Sequence, residues 1–291
     1  MLRQLATRTG PRSSQHLRRA FFSQQPLNAP DLSTETSPSV NQDELDKFRH
    51  ISASWWDAQG PFKYLHTMNH ARTRYIRDRL MDLGILTRNQ QEERPLAIDV
   101  GCGGGLATEA LGRLGLSALG IDAAQENVSA ARAHLSTADP LLAPHVHYRR
   151  MTSEQAVAEN LGPFSCVTSL EVIEHVEHPT DFVRSLVDLA APGAPIFLST
   201  MNRSAVAWLV DILVPEYILG SVPKGTHRLE TFVPPDELRD ILRAAGAETI
   251  DVRGLVLDPL ANRCHVVDRH WGPFSNVGVQ ANYILCAVKN K

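Results

Sequence analysis

Glutamate and histidine side chains are concentrated in the stretch LEVIEHVEHP (170–179). Glu171, Glu174 and His175 stand at positions i, i+3 and i+4, so a helical turn here would direct all three side chains to one side. Two carboxylates and an imidazole form a ligand set for Mg²⁺, Mn²⁺ or Zn²⁺, although Mg²⁺ does not favour imidazole. Without a metal, Glu171 or His175 would serve as a general base. A third interpretation is that the group only shapes a strand end or caps the helix after it.

A second candidate site is the glycine-rich stretch Asp99-Val100-Gly101-Cys102-Gly103-Gly104-Gly105, which follows an apolar run and precedes a helical pattern. Glycines at the start of a helix let a ligand approach the backbone closely. A dinucleotide-binding loop requires the pattern GxGxxG, and Leu106 stands where its third glycine would be. The pattern DxGxGxG instead resembles the first motif of class I S-adenosylmethionine-dependent methyltransferases.

Asp122 ends the next apolar run along the chain. A carboxylate at this strand end can accept hydrogen bonds from both hydroxyls of a ribose. Asp is also a good N-cap, so the alternative is that Asp122 only caps the helix that follows. Its position at a strand end, at the usual distance after a glycine loop, favours the ribose.

These side chains must be positioned by a regular alternation of short apolar runs and helical stretches. Alternating strands and helices predict right-handed crossovers and a parallel, doubly wound α/β sheet, which binds ligands outside the carboxyl ends of its strands. Two further runs with no helix between them predict an antiparallel hairpin at one edge of the sheet. We therefore expect seven strands with the last one reversed, and an apolar insertion after strand five. The predicted strands are 96–101, 117–122, 145–150, 164–171, 194–200, 247–259 and 281–291.

The amino-terminal 42 residues differ in composition from the rest of the chain. Five arginines precede the first acidic residue, Asp31, among Ser, Thr, Gln and Leu, which is typical of a mitochondrial transit peptide. Residues 24–42 are polar and rich in Pro and Ser, as in a disordered linker. We expect one folded domain at 43–291. The alternative for the first segment is a disordered basic tail.

Charge and cysteine content exclude several classes of protein. Removal of the five amino-terminal arginines would take the formal net charge from -3 to -8, and such a protein has no basic surface for nucleic acid. The four cysteines lack CxxC spacing, so neither a zinc cluster nor a disulfide framework is predicted. The chain has no run of about 18 apolar residues, so no membrane-spanning helix is predicted.

Six stretches carry a more specific resemblance, which covers nearly everything after residue 43. They are FRHISASWWDAQGPFKYLHTMNHARTRYI (48–76), LAIDVGCGGGLATEAL (96–111), SLEVIEHVEHP (169–179), FLSTMNRSAVAWLV (197–210), EYILGSVPKGTHRLETFVPPDEL (216–238) and GLVLDPLANRC (254–264). Together they resemble the ubiquinone-biosynthesis O-methyltransferase family, and the leader makes the chain most similar to the mitochondrial members. The resemblance implies a class I methyltransferase fold with amino-terminal lid helices and two O-methylations of polyprenylated catechols.

The resemblance also implies which residues form the site. For S-adenosylmethionine these are Arg72, Gly101, Asp122 and Leu170, where bacterial members have Met at the position of Leu170. Arg72 can pair with the methionine carboxylate, although a helix with four arginines is more often a solvated basic face. The resemblance further implies a magnesium-type requirement at Glu171, Glu174 and His175. The adenine edge is expected near Met151 and Thr152.

Partners and location are implied in the same way. The substrate is a polyprenylated catechol, and the enzyme is expected at the matrix side of the mitochondrial inner membrane, held peripherally and in a complex with other proteins of coenzyme Q biosynthesis. Residues 205–222 could lie in the membrane interface or form a buried helix over the sheet. The alternative function is a non-catalytic, methyltransferase-like subunit that presents lipid or assists assembly.

Overall fold

The computed structural model describes residues 41, 52–87, 94–209, 229–258, 261–268 and 277–291. Eight strands within them form a single mixed sheet. The strands are β1 (Leu96–Val100), β2 (Ser117–Asp122), β3 (Val146–Arg150), β4 (Cys166–Leu170), β5 (Pro195–Met201), β6 (Ala247–Asp258), β7 (Arg263–Asp268) and β8 (Asn282–Lys289). Their order across the sheet is β3-β2-β1-β4-β5-β8-β6-β7.

Six helices of at least six residues accompany these strands in the described part of the chain. They are α1 (Lys63–Asp82), α2 (Leu106–Arg113), α3 (Gln125–Ala138), α4 (Ser153–Ala158), α5 (Pro179–Leu189) and α6 (Pro235–Ala244). Local sequence signals explain where some of them begin. Thr152 and Gln155 form a capping box at the start of α4, and Pro179 occupies the first turn of α5.

The alternation from β1 to β5 is parallel throughout, as the sequence predicts. β1 pairs in parallel with β2 and β4, β2 with β3, and β4 with β5. The last strand, β8, is antiparallel to both β5 and β6, which confirms the reversed final strand. The predicted parallel, doubly wound α/β sheet with a reversed last strand is therefore confirmed.

The sheet has one strand more than the seven that we predict from the sequence. β7 pairs antiparallel with β6 at the sheet edge, so β6 and β8 are sheet neighbours but not a hairpin. Five of the six residues of β7, RCHVVD, are exposed or partly exposed, and only Val267 is buried. An edge strand that buries so little does not produce the apolar run by which a strand is recognised.

Helix α1 packs one face against the sheet and sets the position of Arg72. Its buried residues Met68, Arg72, Tyr75, Ile76 and Leu80 follow helical spacing. The ring of Tyr75 meets that of Phe197 edge to face, and its hydroxyl donates to Asp251 at 3.1 Å. Arg72 is thus held in the interior, and the alternative of a solvated basic face is wrong for this residue.

Several predictions fall outside the described residues. These are the transit peptide and linker, apart from Asn41, and residues 210–228 of the apolar insertion. The described start of that insertion is a short helical turn, Ala205–Ala207. None of the helices in the described ranges is long and apolar enough to cross a membrane.

Candidate active site

The predicted site residues come from different strands that end at the same edge of the sheet. Val100 of β1 is in register with Ile121 of β2, so the glycine loop after β1 lies beside Asp122. On the other side of β1, β4 ends at Leu170 next to Ser199 of β5. The parallel pairing therefore places the glycine loop between Asp122 and the LEVIEHVEHP turn.

The glycine loop turns sharply and is packed against other residues. Gly101 and Gly105 have φ values of 74° and 89°, a region that glycine adopts without a steric penalty. The backbone N–H of Gly101 donates to the carbonyl of Ile121 at 2.8 Å, which ties the loop to β2. A Cβ atom on Gly104 would lie 2.4 Å from the side chain of Trp55.

Two tryptophans of the stretch before α1 cover this loop. Trp55 is buried, stacks on Phe62, and donates from its indole nitrogen to Asn127 at 2.9 Å. Trp56 donates from its indole nitrogen to the carbonyl of Gly104 at 2.8 Å. We call residues 52–62 the lid stretch. Its position over the glycine loop agrees with the amino-terminal lid that the resemblance implies, and Trp55 also belongs to the buried core.

Asp122 is a buried carboxylate that connects the glycine loop with the start of α3. It accepts hydrogen bonds from the N–H of Gly103 at 2.9 Å, the N–H of Ala124 at 2.8 Å and the amide of Asn127 at 3.1 Å. Burial raises the pKa of Asp122, although these three hydrogen bonds oppose the rise. The N-cap of α3 is Ala124, so the alternative role of Asp122 as that cap is wrong.

Arg72 reaches the strand-four end of the site from α1. Its guanidinium nitrogen Nη1 donates to Glu171 at 3.1 Å and lies 3.4 Å from the hydroxyl of Ser199. Only 4% of Arg72 is exposed. Its Nε has no hydrogen-bond partner among the described residues. The resemblance implies that the guanidinium of Arg72 binds the carboxylate of the methionine moiety. In this structure it binds the carboxylate of Glu171.

Glu171 is the first residue after β4 and has an unusual backbone conformation. Its φ is 58°, which is left-handed and unfavourable for a residue with a side chain. Helical geometry begins only at Ile173, as a single 3₁₀ turn to His175. The helical turn that would direct Glu171, Glu174 and His175 to one side therefore does not form. The carboxylate of Glu171 instead accepts from Ser199 at 2.6 Å as well as from Arg72.

Glu174 lies deeper than Glu171 and is 4% exposed. Its Oε2 accepts from the hydroxyl of Thr200 at 2.8 Å, whereas its Oε1 has no partner within the described ranges. Burial raises the pKa of Glu174 to about 7, the negative charge of Glu171 adds to the rise, and His175 opposes it. Glu174 is thus a carboxyl group that can exchange a proton near neutral pH.

The three residues predicted as metal ligands do not fit a cation in this arrangement. Glu171 is paired with Arg72, and its oxygen Oε1 is the same atom that accepts from Ser199. In the described part of the chain, no three His, Cys, Asp or Glu side chains form a group that could hold a metal ion. The cation that the resemblance implies therefore gains no support from this geometry.

The remaining predicted positions are distributed around the same edge. Leu170 is partly buried and packs against the core cluster that includes Tyr75 and Phe197. Met151 is buried, and its N–H donates to the carbonyl of Asp122 at 3.0 Å. Thr152 uses its hydroxyl in the capping box of α4.

Sequence reasoning missed two hydroxyl residues of the site. Ser199 and Thr200 lie at the carboxyl end of β5, are fully buried, and bind Glu171 and Glu174 respectively. The signal is present in the sequence as the change from PIFL to ST at the end of an apolar run. Hydroxyl side chains in an otherwise apolar buried strand need hydrogen-bond partners, and the neighbouring acidic turn provides them.

Comparison with known proteins places the chain among the methyltransferases. Residues 68–252 match the family described as a methyltransferase domain. The mitochondrial ubiquinone biosynthesis O-methyltransferase of Rattus norvegicus is 39% identical over 234 residues, which are 79% of this chain and 67% of that protein. The ubiquinone biosynthesis O-methyltransferase of Xanthomonas axonopodis pv. citri is 38% identical over 253 residues, which are 87% of this chain and 96% of that protein.

Solved structures agree with this placement at the level of the fold. Magnesium protoporphyrin IX methyltransferase from Synechocystis, with bound SAH, has a TM-score of 0.54 and 19% identity, over 86% of this chain and 96% of that one. A possible histamine N-methyltransferase from Thermotoga maritima has a TM-score of 0.53 and 16% identity, over 86% and 99%. The sequence relatives confirm the resemblance, and the chain belongs to the ubiquinone biosynthesis O-methyltransferase family.

Proposed function

We propose that this protein transfers the methyl group of S-adenosylmethionine to a catechol hydroxyl of polyprenylated intermediates in ubiquinone biosynthesis. The observation that carries the proposal is the identity of 38% to a relative of that name, over 96% of the relative's length. The two acceptors are a polyprenyl-dihydroxybenzoate and a demethylubiquinol. Both present a phenolic hydroxyl beside a second oxygen substituent on the ring.

The residues at the sheet edge suit S-adenosylmethionine, which supplies an electrophilic methyl group on a sulfonium. The glycine loop would lie against the cofactor, since a backbone without side chains permits the close approach of a ligand. Asp122 would bind the ribose hydroxyls, since its Oδ2 accepts only from Gly103 among the described residues. Arg72 would bind the methionine carboxylate through Nε, which has no hydrogen-bond partner in the ranges that the structure describes. Leu170 would contact the adenosine.

The acceptor hydroxyl needs a proton acceptor. A phenol with a pKa of about 10 is ionised to roughly one part in a thousand at pH 7. Glu171 and His175 are the proposed catalytic residues, because both belong to the turn after β4 and His175 is only partly buried. A carboxylate or imidazole here would take the phenolic proton and release it to solvent as the methyl group is transferred.

The proton acceptor can be tested by substitution. We expect His175→Gln or Glu171→Gln to lower the rate of methyl transfer roughly 100-fold or more, with binding of S-adenosylhomocysteine retained. His178→Gln is the matched control, because His178 is exposed three residues further on. If His175→Gln and Glu171→Gln both transferred the methyl group as fast as the His178→Gln control, the turn after β4 would not supply the proton acceptor.

A divalent cation at Glu171, Glu174 and His175 stays a prediction of the family resemblance. In this structure Glu171 Oε1 already accepts from Arg72 and Ser199, so a cation would share this carboxylate with Arg72 or displace it. The direct experiment is methyl transfer to a short-tailed demethylubiquinol analogue before and after chelation, with each divalent ion restored in turn. Undiminished turnover in chelator, with Glu174→Ala also active, would exclude the cation.

The non-catalytic alternative is decided by cofactor titration. A subunit that presents lipid or assists assembly would not bind S-adenosylmethionine, whereas a methyltransferase would. We expect saturable binding of S-adenosylhomocysteine by the purified full chain and its loss in Asp122→Ala. The absence of binding by the unsubstituted protein would end the enzymatic proposal.

We also propose a peripheral location on the matrix side of the mitochondrial inner membrane, with other coenzyme Q biosynthesis proteins as partners and a folded domain from residue 43 onward. Support comes from the eukaryotic relatives, whose names include mitochondrial. The start of the insertion also exposes apolar side chains, with Trp208 and Leu209 44% and 46% accessible. Flotation with vesicles that contain anionic lipid tests this, and Trp208→Ser should weaken it.

A further inference from the structure

Asn69 of α1 has a side-chain amide whose nitrogen is hydrogen-bonded and whose oxygen has no partner among the described residues. Its nitrogen Nδ2 donates to the backbone carbonyl of Leu106 at 3.0 Å. A carbonyl oxygen can only accept, so the orientation of this amide is fixed by chemistry and its oxygen Oδ1 points elsewhere. That oxygen is buried and has no hydrogen-bond partner in the ranges that the structure describes.

Arg72 presents the complementary feature one helical turn later. Residues three apart on a helix are neighbours on the same face, so Asn69 and Arg72 stand side by side on α1. Arg72 Nε is a buried donor without a partner among the described residues, and Asn69 Oδ1 is a buried acceptor without one. Leaving buried polar groups unpaired is unfavourable, so two such groups together indicate a ligand that brings one acceptor and one donor.

The position of Asn69 Oδ1 and Arg72 Nε in the fold indicates which ligand they bind. Leu106, which Asn69 binds, is the first residue of α2 and directly follows the glycine loop. Arg72 reaches the residue that directly follows β4, Glu171. The two unpaired atoms therefore belong to a helix that bridges the ends of β1 and β4, where the cofactor of the proposed reaction would bind.

We infer that Asn69 is a further cofactor-positioning residue, whose Oδ1 accepts a hydrogen bond from the α-ammonium group of S-adenosylmethionine while Arg72 binds the α-carboxylate. This inference rests on the proposed function. An α-amino acid carries a cationic donor and an anionic acceptor on one carbon atom. That pair matches one amide oxygen and one guanidinium nitrogen on the same helix face. Holding both groups fixes the methionine chain and therefore the direction in which the sulfonium presents its methyl group.

The test is calorimetric binding of two ligands to the full chain. One ligand is S-adenosylhomocysteine, and the other is its analogue with hydrogen in place of the α-amino group. We expect the unsubstituted protein to bind the first about tenfold more tightly, since a hydrogen bond to a charged group is lost with the second. In Asn69→Leu, binding of S-adenosylhomocysteine should weaken about tenfold while binding of the analogue hardly changes, so the ratio of the two affinities approaches one.

Two further variants separate this role from a structural one. Asn69→Asp keeps an oxygen for the ammonium but loses the donor to Leu106, so it should retain the preference for the amino-bearing ligand even if both affinities fall. His70→Ala, on the exposed next residue, should change neither affinity. A ratio in Asn69→Leu equal to that of the unsubstituted protein would overturn the inference, and this is also the result expected if Oδ1 only binds water. If the unsubstituted protein bound neither ligand, the proposed function would fail, and the inference with it.

Discussion

The glycine-loop side of the site, around Gly101–Gly105 and Asp122, is filled and paired by protein groups, whereas the strand-four side, around Arg72, Glu171 and Glu174, is only partly paired. On the first side, Asp122 accepts three hydrogen bonds and Trp55 packs over the loop. On the second, Arg72 Nε and Glu174 Oε1 lack partners among the described residues. Glu171, which follows β4, has a left-handed backbone.

The two sides of the site differ in what they contribute: one stabilises the fold, and the other keeps groups available for a ligand or a reaction. Paired and well-packed groups stabilise the fold and keep the loop in one conformation. Unpaired buried groups and a strained backbone are unfavourable for the fold, and such features cluster where a ligand or a reaction uses them. Substitutions on the glycine-loop side should therefore lower stability, whereas some substitutions on the strand-four side should raise it while removing function.

The largest expected effect is that of Asp122→Ala. The change leaves three buried donors without their acceptor, while removal of a buried charge offsets part of that loss. We expect the free energy of unfolding to fall by about 4 kcal/mol, measured by urea titration. Asp188→Ala, on an exposed face of α5, is the control and should stay within about 0.5 kcal/mol of the unsubstituted protein. Equal losses in both variants would contradict the assignment of Asp122 to the stable side.

Glu174→Gln is expected to raise the free energy of unfolding above neutral pH, whereas Asp122→Ala lowers it. The pKa of Glu174 is raised from 4.5 to about 7 in the folded protein, so folding favours the protonated carboxyl. The stability contributed by protonation is fully present below pH 4.5 and is lost as the pH rises through about 7. The variant has no such group, so at pH 8 it should be the more stable protein by about 3 kcal/mol and at pH 4 nearly equal.

The measurement is unfolding by urea at several pH values in both proteins. The charges that face Glu174 include Glu171, which raises its pKa, and His175, which lowers it, so a His175→Gln background controls for the imidazole. A stability difference between the Glu174 variant and the unsubstituted protein that does not change between pH 4 and pH 8 would show that this carboxyl is not held protonated.

The comparison also explains how much of the molecule the sequence predicts. Periodic apolar runs predict β1 to β6 and β8, because their burial is strong and regular. The loop glycines and Asp122 are predictable because a left-handed turn and a strand-end carboxylate leave local signatures. The environment of Glu174 is not predictable, since its burial and its contact with Thr200 depend on the pairing of β4 with β5.

Backbone strain and long-range packing lie beyond local patterns for the same reason. Nothing in LEVIEHVEHP distinguishes a helical turn from the left-handed residue and 3₁₀ turn that the structure has. Trp56 is 48 residues before Gly104 in the chain, and the two meet only in the folded protein. Residue types predicted which groups could do chemistry, and tertiary contacts decided which of them are already paired.

A smaller effect is expected for Gly104→Ala, which tests the packing of the glycine-loop side. Gly104 does not have a positive φ, so alanine is compatible with its backbone, and the strain comes from a Cβ that would lie 2.4 Å from Trp55. We expect a loss of about 2 kcal/mol in the free energy of unfolding. In a Trp55→Ala background the same change should cost almost nothing, because the clashing ring is gone. Equal costs in the two backgrounds would mean that the lid stretch does not rest on the loop.

The smallest and most specific effect concerns the backbone of Glu171 on the strand-four side. Glu171→Gly and Glu171→Ala both lose the contacts with Arg72 and Ser199, so the difference between them reports the backbone alone. At an ordinary position glycine is the less stable of the two, but at a φ of 58° alanine has the steric penalty. We therefore expect Glu171→Gly to exceed Glu171→Ala in unfolding free energy by about 1 kcal/mol. The same pair of substitutions at exposed Glu177 is the control for chain flexibility. If alanine were the more stable residue at position 171 as well, the left-handed turn after β4 would not be a strained feature, and the contrast between the two sides would rest on their unpaired atoms alone.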